Sequence, residues 1–212
     1  MELRKLAKGF GDAPFTRHLM LTVLKDYQRP NDKISELIKN GELISIRRGL
    51  YMAAPEAELP QPQPFLIANH LRGPSYVSLE SALSFWGLIP ERVIEITSVT
   101  TKSKLKYNSA AGRFSFQHLD PPYYSYGIQR VRLSEKQTAL IASAEKAVCD
   151  TIVLSRGISL RSLAQTKKFL LEDLRMDKEQ LKNLDTSEIK SWLKNAPKKT
   201  SLQMLIKTLH AL

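Results

Sequence analysis

Cysteine is all but missing. Cys149 is the one thiol in 212 residues, which excludes a disulfide framework and a cysteine-based zinc site. Histidine is sparse as well: His18, His70, His118 and His210 stand far apart and form no H-x-H or H-x-x-x-H pair. Nine glycines are scattered singly, so no glycine-rich loop is present to cradle a phosphate. No apolar run approaches the roughly 18 residues of a membrane span. The opening MELRKLAKGFGD carries charge but no apolar h-region, so a signal peptide is not expected. These absences lead us to expect a reduced, cytoplasmic protein with no membrane partner, no metal and no cofactor.

Acidic residues are also short. Asp and Glu number 21 against 32 Lys and Arg, a formal charge of +11 at a pI near 9.7. A chain this basic is drawn to polyanions, of which nucleic acid is the commonest. The excess is spread, with +4 in residues 1–55 and +6 after residue 130. For the C-terminal part, plain solubility explains it equally well. The apolar fraction of 42% supplies an ordinary core.

Residues 31–54, NDKISELIKNGELISIRRGLYMAA, organise the reading of the rest. Ile34, Leu37 and Ile38 have helical spacing, and Gly41 falls where that helix should stop. Leu43, Ile44 and Ile46 then mark a strand, Arg47 and Arg48 sit at a Gly49 turn, and Leu50, Tyr51 and Met52 mark the return strand. Upstream, residues 1–8 have the pattern of a small amphipathic helix. Thr16 can cap a second helix bearing Leu19, Met20, Val23 and Leu24, which should end near Tyr27. Pro30 disfavours helix at Arg29, and Asn31 or Asp32 can cap the next one. Helix, helix, turn, helix and a basic-tipped hairpin is the order of a winged helix-turn-helix, which lays one helix in the major groove and a ribbon along the backbone.

Four prolines in residues 55–64 favour extended polyproline II, and the segment reads as a stiff linker. The expected division is therefore 1–54 for the winged helix, 55–64 for the linker and 65–212 for a larger domain. In that domain residues 65–71 have a helix pattern, 75–77 are extended, and Ser78 can cap a helix that Gly87 stops. Residues 93–100, 113–119, 123–126 and 128–133 read as strands. From Ser143 onward the pattern is helical, with Asp185 and Glu188 at capping-box spacing. The expected fold class is α+β: a small, mostly antiparallel sheet followed by a helical C-terminal part.

The candidate DNA contacts are Arg29, Asn31, Lys33, Ser35 and Lys39 around the recognition helix, and Arg47 and Arg48 at the wing tip. Asn and Lys suit base edges, Ser and Lys suit phosphates, and arginine suits phosphates or a minor groove. The bland alternative is the solvated face of a small protein-binding module. Lys102, Lys104 and Lys106 form a second basic patch, which either touches phosphate or RNA or keeps a loop soluble. Enzyme readings are weak and none is expected. Cys149 should lie on a half-buried helix as inert packing. Glu145, Lys146 and Asp150 evoke a nuclease-type cluster but lack a strand-borne Glu-x-Lys.

Five segments in order carry a family resemblance: IRRGLYMAA (46–54), PSYVSLESALSFWGLIPE (74–91), ITSVTTK (96–102), GRFSF (112–116) and IASAEKAVCDTI (141–152). Over residues 15–152 the chain resembles the AbiEi family, antitoxins of type IV toxin–antitoxin (abortive infection) systems, also described as predicted transcriptional regulators of viral defence. The resemblance implies an N-terminal winged helix that binds inverted repeats in its own promoter as a repressor. It implies a larger domain that opposes a nucleotidyltransferase-like toxin without a stable complex. It places Arg47 and Arg48 on the family's wing and residues 31–39 on its recognition helix. Many members sit without an evident toxin, so a regulator without one is the alternative, its second domain serving sensing or dimerisation.

Overall fold

The computed structural model describes residues 12–212, and the helix expected over residues 1–8 lies outside them. Strand β1 (Phe15–Thr16) leads into helix α1 (Arg17–Val23), whose first turn is capped by the Thr16 hydroxyl accepting from the Leu19 N–H at 3.2 Å. The helix stops at Val23, four residues before the expected Tyr27. Helix α2 (Pro30–Lys39) is not capped by Asn31 or Asp32 as expected: its N-cap position falls on Arg29, two or three residues earlier, with no side-chain cap. Pro30 stands at the first helical position, where its missing N–H is no loss. Gly41 ends α2 in the left-handed region at φ 71°. Its N–H donates to the Ile38 carbonyl and the Glu42 N–H to the Leu37 carbonyl, the paired bonds of a Schellman stop. Strands β2 (Leu43–Arg47) and β3 (Leu50–Ala53) form the hairpin, and β1 joins β3 on its free side.

Residues 55–64 are not a free extended spacer. Residues Pro55–Ala57 form a 3-10 turn, and Pro64 is the first residue of helix α3 (Pro64–Leu71). Gln137 holds the segment between them: its Oε1 accepts from the Gln63 N–H at 2.6 Å and its Nε2 donates to the Gln61 carbonyl at 3.0 Å. Proline restricts each residue it occupies, yet nearby N–H and C=O groups remain open to side-chain partners.

The larger body is built on six strands: β4 (Ser75–Val77), β5 (Glu95–Thr100), β6 (Leu105–Ser109), β7 (Gly112–His118), β8 (Ile128–Arg132) and β9 (Thr138–Ala142). Helix α4 (Leu79–Phe85) follows β4, and helix α5 (Ala144–Leu154) follows β9. The spatial order is β6-β7-β5-β4-β9-β8. Two of the five pairings, β5 with β7 and β4 with β9, are parallel. The sheet is therefore mixed, with three antiparallel pairings and two parallel ones. The β6–β7 hairpin docks through its second strand, which aligns β7 with β5 and sends β6 to the edge. Residues 123–126 were expected to be a strand. Instead residues Tyr123–Ser125 form a 3-10 turn that buries Tyr123 and Tyr124.

The C-terminal helices are α6 (Leu163–Lys168), continued by a π turn at Phe169–Asp173, then α7 (Lys178–Lys182), α8 (Thr186–Trp192) and α9 (Lys199–Leu209). Asp185 caps α8 by accepting from the Ser187 N–H at 2.8 Å. The reciprocal bond of a capping box does not form. Glu145 on α5, rather than Glu188, accepts from the Asp185 N–H at 3.1 Å, so the cap joins two helices.

Two hydrophobic clusters organise the packing. The smaller gathers Phe15, Met20, Leu24, Ile34, Leu37, Leu43 and Ala53. The larger contains the body's core and three residues of the hairpin: Ile46, Leu50 and Met52. The Tyr107 hydroxyl on β6 donates to the Ile46 carbonyl at 3.0 Å. One face of the hairpin thus belongs to the small unit and the other to the large body. Burying each of Ile46 and Leu50 contributes roughly 1.5–3 kcal/mol.

Candidate nucleic-acid interface

Hairpin alternation fixes which side chains of the tip meet solvent. Ile46 is 1% exposed and Leu50 2%, while Ser45, Arg47 and Arg48 are exposed. The ladder register shifts between Ser45 and Arg47, the kind of irregularity that re-aims a side chain. Arg47 makes one long bond, Nη1 to the Arg48 carbonyl at 3.4 Å. Among the described residues neither guanidinium meets a carboxylate, so both keep their charge open to an anion.

The residues expected on α2 divide into two groups. Asn31, Ser35 and Lys39 recur at i, i+4, i+8 and share one exposed face. The Ser35 hydroxyl donates back to the Asn31 carbonyl at 3.0 Å, while Lys39 has no described partner. Lys33 departs from this face. Its side chain is 22% exposed and its ammonium lies 2.7 Å from Glu36 Oε1. The Glu36 hydrogen bond holds the Lys33 pKa above the ordinary lysine value. Lys33 is thus engaged within its own helix. Arg29 is 85% exposed and only loosely paired with Asp32, at 3.8 Å.

Arg17, outside the candidate contacts, joins the pieces. Its backbone N–H donates to the Gly49 carbonyl at 2.8 Å, tying the start of α1 to the hairpin turn. Its guanidinium donates to Asn31 Oδ1 from Nη2 at 3.0 Å and from Nε at 3.3 Å, tying α1 to the first turn of α2. The hairpin tip, the start of α1 and the start of α2 therefore meet at Arg17. A basic residue immediately after a capping threonine was the signal that would have found it. Asp32 and Glu36 are also exposed and offset part of the positive charge along α2, whereas Arg47 and Arg48 meet no carboxylate among the described residues.

The second basic patch is held rather than loose. The Arg72 guanidinium donates to the carbonyl and hydroxyl of Ser103 at 2.6 and 2.9 Å. His118 Nδ1 lies 3.1 Å from the Lys102 carbonyl. Lys102 and Lys104 precede β6 and only Lys106 lies on it, so the three do not line one strand face.

The residues that evoked a nuclease do not assemble into a site. Glu145 points to α8, whereas Lys146 and Asp150 are both 0% exposed with Lys146 Nζ 2.8 Å from Asp150 Oδ1. Asp150 Oδ2 accepts from the Tyr76 hydroxyl at 2.9 Å and the Ser78 hydroxyl at 2.8 Å. Lys146 also donates to the Tyr123 carbonyl at 3.0 Å and stands 3.5 Å from that ring's centre. Gly127 makes room for it: a Cβ there would come within 2.7 Å of Lys146 Cβ. Ser78 stands at the N-cap position of α4 but makes no capping bond. Cys149 is fully buried rather than half-buried, and burial pushes its thiol pKa far up. No group of three or more His, Cys, Asp or Glu is placed to hold a metal among the described residues. No helix among them is long and apolar enough to cross a membrane.

No family model matches the chain, and no curated protein matches it by sequence. In fold it is similar to the crystal structure of the RV2827C protein from Mycobacterium tuberculosis, with a TM-score of 0.63 at 16% identity. That superposition covers 98% of this chain and 75% of the other. At this identity the likeness is one of fold alone.

Proposed function

We propose that residues 12–54 form a winged helix that binds double-stranded DNA, with α2 as the recognition helix and the β2–β3 hairpin as the wing. The observation that supports it best is the Arg17 joint, which brings the Asn31 end of α2 and the Arg47–Arg48 tip onto one exposed surface. Asn31, Ser35 and Lys39 face the groove; Arg17, Arg29, Arg47 and Arg48 hold phosphates. The larger body is the part that, by its resemblance to AbiEi antitoxins, opposes a nucleotidyltransferase-like toxin, while the winged helix represses the operon at inverted repeats.

Retardation of DNA from upstream of the protein's own gene tests the first half. Binding should weaken steeply with salt, and replacing Arg47 and Arg48 by alanine should remove about 2 from the log–log salt slope. An unchanged slope would overturn the wing assignment. Rescue of growth when the adjacent gene is induced tests the second half and should require residues beyond 65.

The alternative is a regulator without a toxin, its larger body acting as a sensor. The rooting of the hairpin in the larger core favours it, because Ile46, next to Arg47, packs in that core and its carbonyl accepts from Tyr107. Growth that is unaffected by the adjacent gene, together with intact operator binding, would select this reading.

A further inference from the structure

A cleft of about 540 Å³ opens in the larger body between the β6–β7 edge of the sheet and helices α4 and α5. Its size falls within the roughly 300–1,000 Å³ of small-molecule sites. Three cations line it: Lys104 and Lys106 from the sheet edge, and Arg156 just past the end of α5. All three are exposed, and none makes a hydrogen bond or ion pair with a described residue. Glu80 is the single carboxylate in the lining. Three cations against one carboxylate leave a net +2.

The end of α5 would ordinarily oppose an anion, because the last carbonyls of a helix carry partial negative charge. Lys198 removes that opposition. Its ammonium donates to the carbonyls of Ile152 at 3.0 Å, Ser155 at 2.6 Å and Ile158 at 2.9 Å. The helix end is thereby neutralised from behind, and the charge of Arg156 stays available to the cleft. The wall between the cations is apolar, formed by Leu79, Leu105 and Leu154, and the Gln117 side chain, which has no described partner, adds an amide. A small inorganic anion would leave that wall and that amide unused.

We propose that this cleft binds a nucleoside phosphate. The phosphate lies against Lys104, Lys106 and Arg156, and the base lies on the leucine wall within reach of the Gln117 amide. A phosphate monoester carries about −1.5 to −2 charge near neutral pH, which matches the lining. Free nucleotides and the 5′ end of a nucleic-acid strand share this chemistry. The site is separate from the winged-helix surface and does not depend on the DNA-binding reading.

Titration calorimetry on the full chain, with no duplex DNA present, tests it. The probes are adenosine 5′-monophosphate, a 5′-phosphorylated tetraribonucleotide and inorganic phosphate. Saturable binding of either nucleotide probe, at least tenfold tighter than inorganic phosphate, is the expected result. The tighter of the two nucleotide probes identifies the source. Lys106→Ala and Arg156→Ala should each weaken binding about tenfold, as loss of a charge-assisted hydrogen bond does, while Lys106→Arg retains most of it. These side chains are exposed, so an unchanged circular dichroism melt will show that the variants fold. Absence of saturable binding by both nucleotides overturns the proposal. So does equal affinity for inorganic phosphate, or affinity untouched by the alanine variants.

Discussion

The hairpin tip and the centre of the larger body handle charge in opposite ways. At the tip, Arg47 and Arg48 stand in solvent without a carboxylate partner among the described residues. At the centre, Lys146 and Asp150 are sealed from water and meet each other, two hydroxyls, a carbonyl and an aromatic face. An exposed charge left open is cheap in water and available to a ligand. A buried charge is tolerable only when every partner is present. Function is therefore sought at the tip and architecture at the centre, although carboxylate-and-lysine patterns are the ones that first suggest catalysis.

The sharpest way to break this comparison is to remove one buried partner. Asp150→Ala leaves Lys146 charged and unpaired, and should destabilise the fold by about 3–5 kcal/mol in urea denaturation. Replacing both, Lys146→Met with Asp150→Leu, should recover the part of that loss due to the unpaired ammonium but not the part due to the Tyr76 and Ser78 hydroxyls, which still lack an acceptor. If Asp150→Ala were nearly neutral, the pair would not be the tie described. Next in size, Leu50→Ala should cost about 2–5 kcal/mol. Because Leu50 belongs to the larger core, fluorescence and circular dichroism should follow a single transition. Two separated transitions would show the hairpin unit to be energetically independent of the body.

A smaller effect is expected from pH. Burial, with Asp150 beside Tyr76, holds Tyr76 and Tyr123 well above the ordinary tyrosine value of 10.0. Their folded pKa exceeds the unfolded one, so their contribution is complete below pH 10 and is lost as pH rises beyond it. Stability measured by urea titration should fall from about pH 10 upward, and Tyr76→Phe should flatten the fall. The smallest change in stability belongs to the tip. Arg47→Ala with Arg48→Ala should stay within about 0.5 kcal/mol while DNA retardation weakens. A large loss of stability there would mean that the arginines are structural after all.

Much of the small unit was legible because its signals are local. Thr16 as a cap, Gly41 as a stop and Arg47–Arg48 at a Gly49 turn are each read within a few residues, and each stands where expected. The larger body was less legible. Strand β9, with Ala139, Ile141 and Ala142 all buried, offers no clean alternation of polar and apolar residues to mark it as a strand. Tyr123 and Tyr124 looked β-forming and were instead recruited into a buried turn beside Lys146. The candidate contact list left out a residue that long-range contacts bring to the same surface. Arg17 becomes part of the surface through Gly49 and Asn31, which are 32 and 14 positions away. Lys33 is drawn aside by Glu36 three residues on.

Composition and local pattern were enough to place the hairpin, its basic tip, the Thr16 cap, the Gly41 stop and the helical tail, since these depend on backbone conformations that a few neighbouring residues dictate. Folding alone decided that the hairpin would be anchored in the larger core, and that Lys146 and Asp150 would be sealed in as a pair. It also drew Lys104, Lys106 and Arg156 around one cleft. Those outcomes depend on contacts between residues tens of positions apart, and on burial, which turns the same charge from a solvated group into a structural one.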